Sequence, residues 1–196
     1  MNKCLVLFVE GDTEVEFYKA VISDAKQRRP NQRFDIMIET KNIKGVGSFK
    51  SIALRKFLKE IKPKYDSNTE FIVALCHDTD VFELSSKPPV KWEDVEMEFR
   101  ETGATVVHIM ARQSIEDWFL IDLEGIITFL RLPKKTKISG KNGYDKLKNL
   151  YKRANKIYYK GMKSNGMIDK LNIFKIVTAV KDQLKPLYEI LGVDWI

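Results

Sequence analysis

The chain alternates between unbroken apolar runs and amphipathic stretches. "KCLVLFVE" (3–10) and "EFIVALCH" (70–77) are continuous apolar runs, the pattern of strands buried on both faces of a sheet. "RFDIMIET" (33–40) alternates like a strand, and "TVVHIMA" (105–111) adds a fourth. Helical periods lie between them. In 13–27, Val15, Tyr18, Val21 and Ile22 share a face. Thr13 followed by Glu16 reads as a capping box that starts this helix. Residues 49–61 and 92–102 repeat the amphipathic pattern, with Gly103 ending the second. Residues 114–130 read as a fourth helix with Ser114 as N-cap. Loops fall at 42–48, 63–69 and 85–89. The order βαβαβαβα implies a mostly parallel sheet with helices on both faces. After residue 131 the pattern changes to a basic loop (131–143) and short helices near 144–155, 166–171 and 173–191. The expected organisation is an α/β domain over 1–130, with a basic, mostly helical extension over 131–196 packed on it.

Composition bounds the class. A chain of 196 residues, 44% hydrophobic and 31% charged, suits one globular domain with a real core and a small appendage. No apolar run reaches the roughly 18 residues of a membrane helix. The N-terminal run lacks a small-residue cleavage site and reads as a core strand. Cys4 and Cys76 sit in apolar strand runs and match no zinc spacing, so buried free thiols and a cytoplasmic location are expected. His77 and His108 lie in or beside apolar strands and read as core histidines.

Charge is unevenly distributed. Of 34 Lys/Arg and 27 Asp/Glu, the stretch Arg131 to Lys170 holds 13 basic and only 2 acidic residues. Tyr144, Tyr151, Tyr158 and Tyr159 are interleaved with them. Such a segment is either a solvated basic face or a surface for a nucleic-acid backbone, with Lys134, Lys135, Lys137, Lys141 and Lys163 as candidate contacts.

Acids gather where strands end. The first strand ends in Glu10, with Glu14 one helical turn on; the third ends in Asp78 and Asp80; the fourth runs into Ser114 and Glu116. In an open parallel sheet, ligands bind outside the carboxyl ends of the strands. Clustered carboxylates raise one another's pKa values, and a hard divalent cation relieves the repulsion. Singly, Glu14 and Glu116 have a plain structural reason to be in first helical turns, and Ser114 a plain reason to cap.

The blocks "VEGDTEVEFY" (9–18), "HDTDVF" (77–82) and "SIEDWFLID" (114–122) resemble, in content and order, the TOPRIM fold. The likeness is nearest to the nuclease domains of the overcoming-lysogenization-defect (OLD) family and their stand-alone bacterial relatives. It covers roughly residues 3–130. The resemblance implies a Rossmann-like TOPRIM domain with a mostly parallel four-stranded sheet. It also implies cleavage of DNA or RNA phosphodiester bonds with two Mg²⁺ or Mn²⁺ ions. Glu10 matches a metal ligand or general base. Glu14, Asp78, Asp80, Ser114 and Glu116 match metal-holding positions, and Lys160, in preference to Lys163, matches a lysine that neutralises phosphate charge. An ABC-type ATPase partner and a role in phage defence follow only from this likeness; no ATPase motif is present. The alternative class is a non-catalytic nucleic-acid-binding or assembly subunit with the same architecture. Asp-x-Asp also occurs in glycosyltransferases and haloacid-dehalogenase phosphatases. "GVG" (45–47) with Ser48 offers a weak phosphate cradle.

Overall fold

The computed structural model describes residues 2–80 and 90–193; the expected loop at 85–89 lies outside them. Four strands form one all-parallel sheet: β1 (Lys3–Val9), β2 (Ile36–Asn42), β3 (Glu70–Asp78) and β4 (Thr105–Ala111), in the order β2-β1-β3-β4. The fold is thus α/β and Rossmann-like. β1 and β3 are central, so their residues alternate between two buried faces. Leu5, Leu7 and Val9 enter one core, while Cys4, Val6 and Phe8 enter the other. Cys4 and Cys76 fall in different cores and are free buried thiols.

Helix α1 (Asp12–Gln27) connects β1 to β2 on one face. It buries Phe17, Tyr18, Val21, Ile22 and Ala25, a helical stripe, against the sheet. The chain then returns across β1 on the opposite face through α2 (46–64). This segment is longer than the expected helix at 49–61 and contains wide i→i+5 turns at Phe49–Ala53 and Phe57–Ile61. Its buried residues Phe49, Ala53, Phe57 and Ile61 repeat every four positions. At 3.6 residues per turn such a stripe drifts around the axis. The wider turns take up the drift and keep all four on the core. α3 (Trp92–Glu101) completes this face with Val95 and Phe99.

After β4 the expected single helix is two, α4 (Ile115–Phe119) and α5 (Leu123–Leu130), separated by a tight turn at Leu120–Asp122. The break serves a distant segment. Buried Asp122 accepts from the Asn172 amide at 2.8 Å and from Lys175 Nζ at 3.2 Å. The C-terminal helices α6 (Gly143–Arg153), α7 (Ile173–Ala179) and α8 (Lys181–Leu191) follow, with a short 3₁₀ turn at Ile168–Lys170. The expected last helix is likewise split, at Val180. Their apolar residues, among them Leu147, Ile176, Leu184 and Leu187, join the same core as α1 and β1. No helix among the described residues is long and apolar enough to cross a membrane.

Candidate active site

The crossovers after β1 and β2 leave on opposite faces, so the chain reverses direction between β1 and β3. The crevice at such a point is where open α/β sheets place ligands. Here it is lined with acid. Asp78, the last residue of β3, donates its amide to Glu10 Oε1 at 3.1 Å. Its own Oδ1 accepts from the Ile115 amide at the start of α4 at 2.8 Å, and its Oδ2 accepts from Lys160 Nζ at 3.0 Å. Three strand ends and a remote lysine therefore meet at one residue, Asp78, through its amide and its carboxylate. Glu10 is fixed from behind as well, because its carbonyl accepts from the Gly45 amide at 2.9 Å. That bond occupies the first amide of the suggested phosphate cradle at 45–47.

Lys160 sits on a strap, residues 156–164, that closes over the start of α1. Gly161 O accepts from the Asp12 amide at 2.7 Å, Thr13 Oγ1 donates to the Met162 carbonyl, and the Ser164 amide donates to Glu16 Oε2 at 2.9 Å. The capping box expected from Thr13 and Glu16 is therefore not formed. Gly11 is the N-cap, without a side-chain cap, and both residues bind the strap instead. Gly11 is required for the approach. A Cβ there would lie 2.3 Å from Gly161 Cα.

Tyr158, buried on the inner side of the strap, donates to Glu116 Oε1 at 3.1 Å. The Tyr144 and Tyr151 rings pack against it at a tilt, with centroids at 6.0 and 5.2 Å. Three of the four tyrosines interleaved with the basic residues therefore belong to the core, and only Tyr159 is exposed. Ser114 is buried, and its hydroxyl donates to Asp117 Oδ2 at 2.8 Å within its own helical turn. It occupies the N-cap position but makes no capping bond.

The electrostatics are those of crowded, desolvated acids. Burial pushes Glu14 up to about 7, with Glu116 and Glu10 adding repulsion. Burial pushes Asp78 up to about 8 against the pull of Lys160, and raises Glu10 as well. Burial works against the Lys160 ammonium, but Asp78 and Glu116 outweigh it and hold its pKa above the usual lysine value. Among the described residues, three acids keep a buried oxygen with no hydrogen-bond donor: Glu14 Oε2, Asp80 Oδ1 and Glu116 Oε2. Buried acceptors left in this state are costly. Lone pairs of hard oxygen atoms on three different segments are the donor set a divalent cation takes, so these residues fit such an ion in chemistry and charge. Among the described residues, however, no three acids, histidines or cysteines already stand as one coordination shell. Both oxygens of Asp78 are taken by the amide and the lysine.

Beside the acids a cleft of about 550 Å³ opens between the strap and the β2–α2 loop, lined by Glu10, Asp12, Glu14, Lys44, Lys160 and Met162. Asp12 was not singled out in the sequence. It accepts from Asn42 Nδ2 at 2.8 Å, a partner at the end of β2. Of the proposed basic contacts, Lys163 lies on the strap and is exposed. Lys134, Lys135, Lys137 and Lys141 are exposed in the irregular run between α5 and α6.

The two histidines form a separate chain on the α3 face. His77 stacks on Trp92 at 4.2 Å, its Nε2 lies 3.2 Å from His108 Nδ1, and His108 Nε2 lies 3.1 Å from Glu96 Oε1. Burial pushes His77 down to about 4, in keeping with a neutral, structural ring.

No family model matches the chain, and no curated protein matches it. A solved structure described as an ABC domain in complex with L-Trp from Streptococcus pneumonia is a weak match. It is 11% identical over 91% of this chain and 84% of that one, with a TM-score of 0.24. A likeness at that score supports neither a fold nor a function.

Proposed function

We propose that the protein is a metal-dependent phosphodiester hydrolase that cuts DNA or RNA at the crevice between β1 and β3. One observation carries this reading. Glu10, Glu14, Asp78, Asp80 and Glu116, delivered by three strand ends, face one lysine beside an open cleft, and three of them keep an unpartnered buried oxygen. The motif resemblance to TOPRIM nucleases of the OLD family points the same way. Glu10, Asp78, Asp80 and Glu116 would hold Mg²⁺ or Mn²⁺, with Glu14 beside Glu10 on the cleft. Such ions supply Lewis-acid neutralisation of phosphate charge.

The chain's own residues do the rest. Lys160 is already fixed at the rim of the acids and reaches the cleft, where it offsets charge growing on a phosphate oxygen. Glu10, partly exposed to the cleft and raised in pKa, is suited to take a proton from an attacking water. Tyr158 orients Glu116. These 196 residues carry no ATPase motif, so any ATP dependence would need a partner. The test is incubation of the pure protein with DNA and RNA in Mg²⁺ or Mn²⁺. Cutting that is lost in EDTA and in Asp78→Ala supports the reading. Cutting that survives either one contradicts it. Salt-sensitive binding with no cutting under any metal favours the binding-module alternative.

A further inference from the structure

The strap exposes an unusual set of side chains. Its inner residues, Tyr158 and Lys160, turn to the acids, and five polar contacts pin it in place. Its outer residues are large and apolar: Ile157 is 69% exposed, Tyr159 57% and Met162 58%. Three large apolar side chains are thus exposed within six positions of one segment, where solvent would favour polar groups. Lysines are set among them. Lys160 and Met162 line the cleft of the acids, Lys163 follows, and Lys44 stands on the opposite lip.

We infer that the strap is a stacking platform for a single-stranded nucleic acid, whose unpaired bases lie on Tyr159 and its apolar neighbours while the backbone passes Lys163, Lys160 and Lys44 into the acid cleft. The chemistry selects this occupant. Aromatic and apolar faces interleaved with cations recognise a strand by base stacking plus phosphate attraction, and every base has a π-face to offer. A duplex hides those faces in its own stack and presents phosphates to the protein. It would leave Ile157, Tyr159 and Met162 in water. The anchoring suits the task, because a platform whose backbone is already ordered loses little entropy when a strand lies on it. Within the basic run between α5 and α6, Lys134 to Lys141, the one large exposed apolar side chain is Ile138, at 40%.

The inference rests on the reading of the acid cleft as a cleavage centre, and its test is kept independent of cleavage. Fluorescence anisotropy in EDTA compares fluorescein-labelled oligonucleotides of about 15 nucleotides, as single-stranded DNA, single-stranded RNA and duplex DNA. The wild type is expected to bind the single strands at least about tenfold more tightly than the duplex. Tyr159→Ala is expected to weaken single-strand binding at least about fivefold, with duplex binding unchanged and Tyr159→Phe close to wild type. Circular dichroism confirms that each variant is folded. Equal or tighter duplex binding, or Tyr159→Ala binding like wild type, overturns the inference. If Mn²⁺-dependent cutting is then still lost in Asp78→Ala, the hydrolase reading stands without it. The expected binding pattern with no cutting under any metal upholds the platform and overturns the hydrolase.

Discussion

Lys160 and Asp78, 82 positions apart, are joined at 3.0 Å, and the bond ties the strap to the end of the central strand. The Asp78 side chain is 5% exposed and that of Lys160 37%. Lys160→Met keeps the aliphatic stem but leaves Asp78 buried without its counter-ion. Breaking a fully buried pair costs about 3–5 kcal/mol; with the lysine partly in water, roughly 1–2 kcal/mol is expected at pH 8. At pH 5 Asp78 takes up a proton and the cost shrinks. Urea unfolding in EDTA at the two pH values measures the difference. An equal loss at both would remove the ion pair from the account.

The raised carboxyls give the stability a definite pH sign. Glu14 and Asp78 bind protons more tightly folded than unfolded. Their contribution is fully present below the ordinary carboxyl range, about pH 4, and is lost as pH rises through about 7 to 8. In EDTA the melting temperature is therefore expected to fall between pH 5 and 8.5. For Glu14 alone the loss is about 3 kcal/mol at most, at roughly 1.4 kcal/mol per unit. Glu14→Gln is expected to flatten that fall. Mn²⁺ binds the ionised acids, so the stabilisation it confers should grow with pH over the same window. Differential scanning fluorimetry with and without Mn²⁺ reads both slopes.

Gly11 and Gly161 meet backbone to backbone, so Gly11→Ala drives a methyl into the strap. Overpacking of this kind costs about 1–3 kcal/mol. The sheet and its two cores do not depend on the contact, so the variant is expected to fold. The strap, and Lys160 with it, should be pushed away from the acid cleft, with cutting reduced at least about a hundredfold, as a 1 Å misplacement can do. A folded Gly11→Ala protein with full cutting would show that the strap's position is immaterial.

The fold could be read from the sequence because β1 and β3 are buried on both faces and so must be unbroken apolar runs; β4 falls at 105–111 as its pattern requires. The carboxyl-end acids were legible for the same reason, since a charge that ends such a run has to lie at the rim. What failed depends on distant contacts. Thr13 and Glu16 have the spacing of a local cap, but two strap groups compete for them and win. The helix over 114–130 has an unbroken pattern, but Asp122 is drawn off to cap residues 50 positions away. The tyrosines of the basic segment looked like a nucleic-acid surface, yet their spacing does not reveal that Tyr158 turns inward to Glu116 while Tyr159 turns out. The resemblance favours Lys160 over Lys163, and it is the path of the strap that sets Lys160 on Asp78.

The central claim is that the acids at this sheet edge exist to hold divalent metal. Diffraction at the manganese absorption edge from crystals soaked in Mn²⁺ tests it most directly. The account predicts anomalous peaks bonded to oxygens of Asp78 and of at least two among Glu10, Asp80 and Glu116, with Lys160 released from Asp78 Oδ2. Crystals that take up manganese elsewhere, or not at all, with Lys160 still on Asp78, would contradict it.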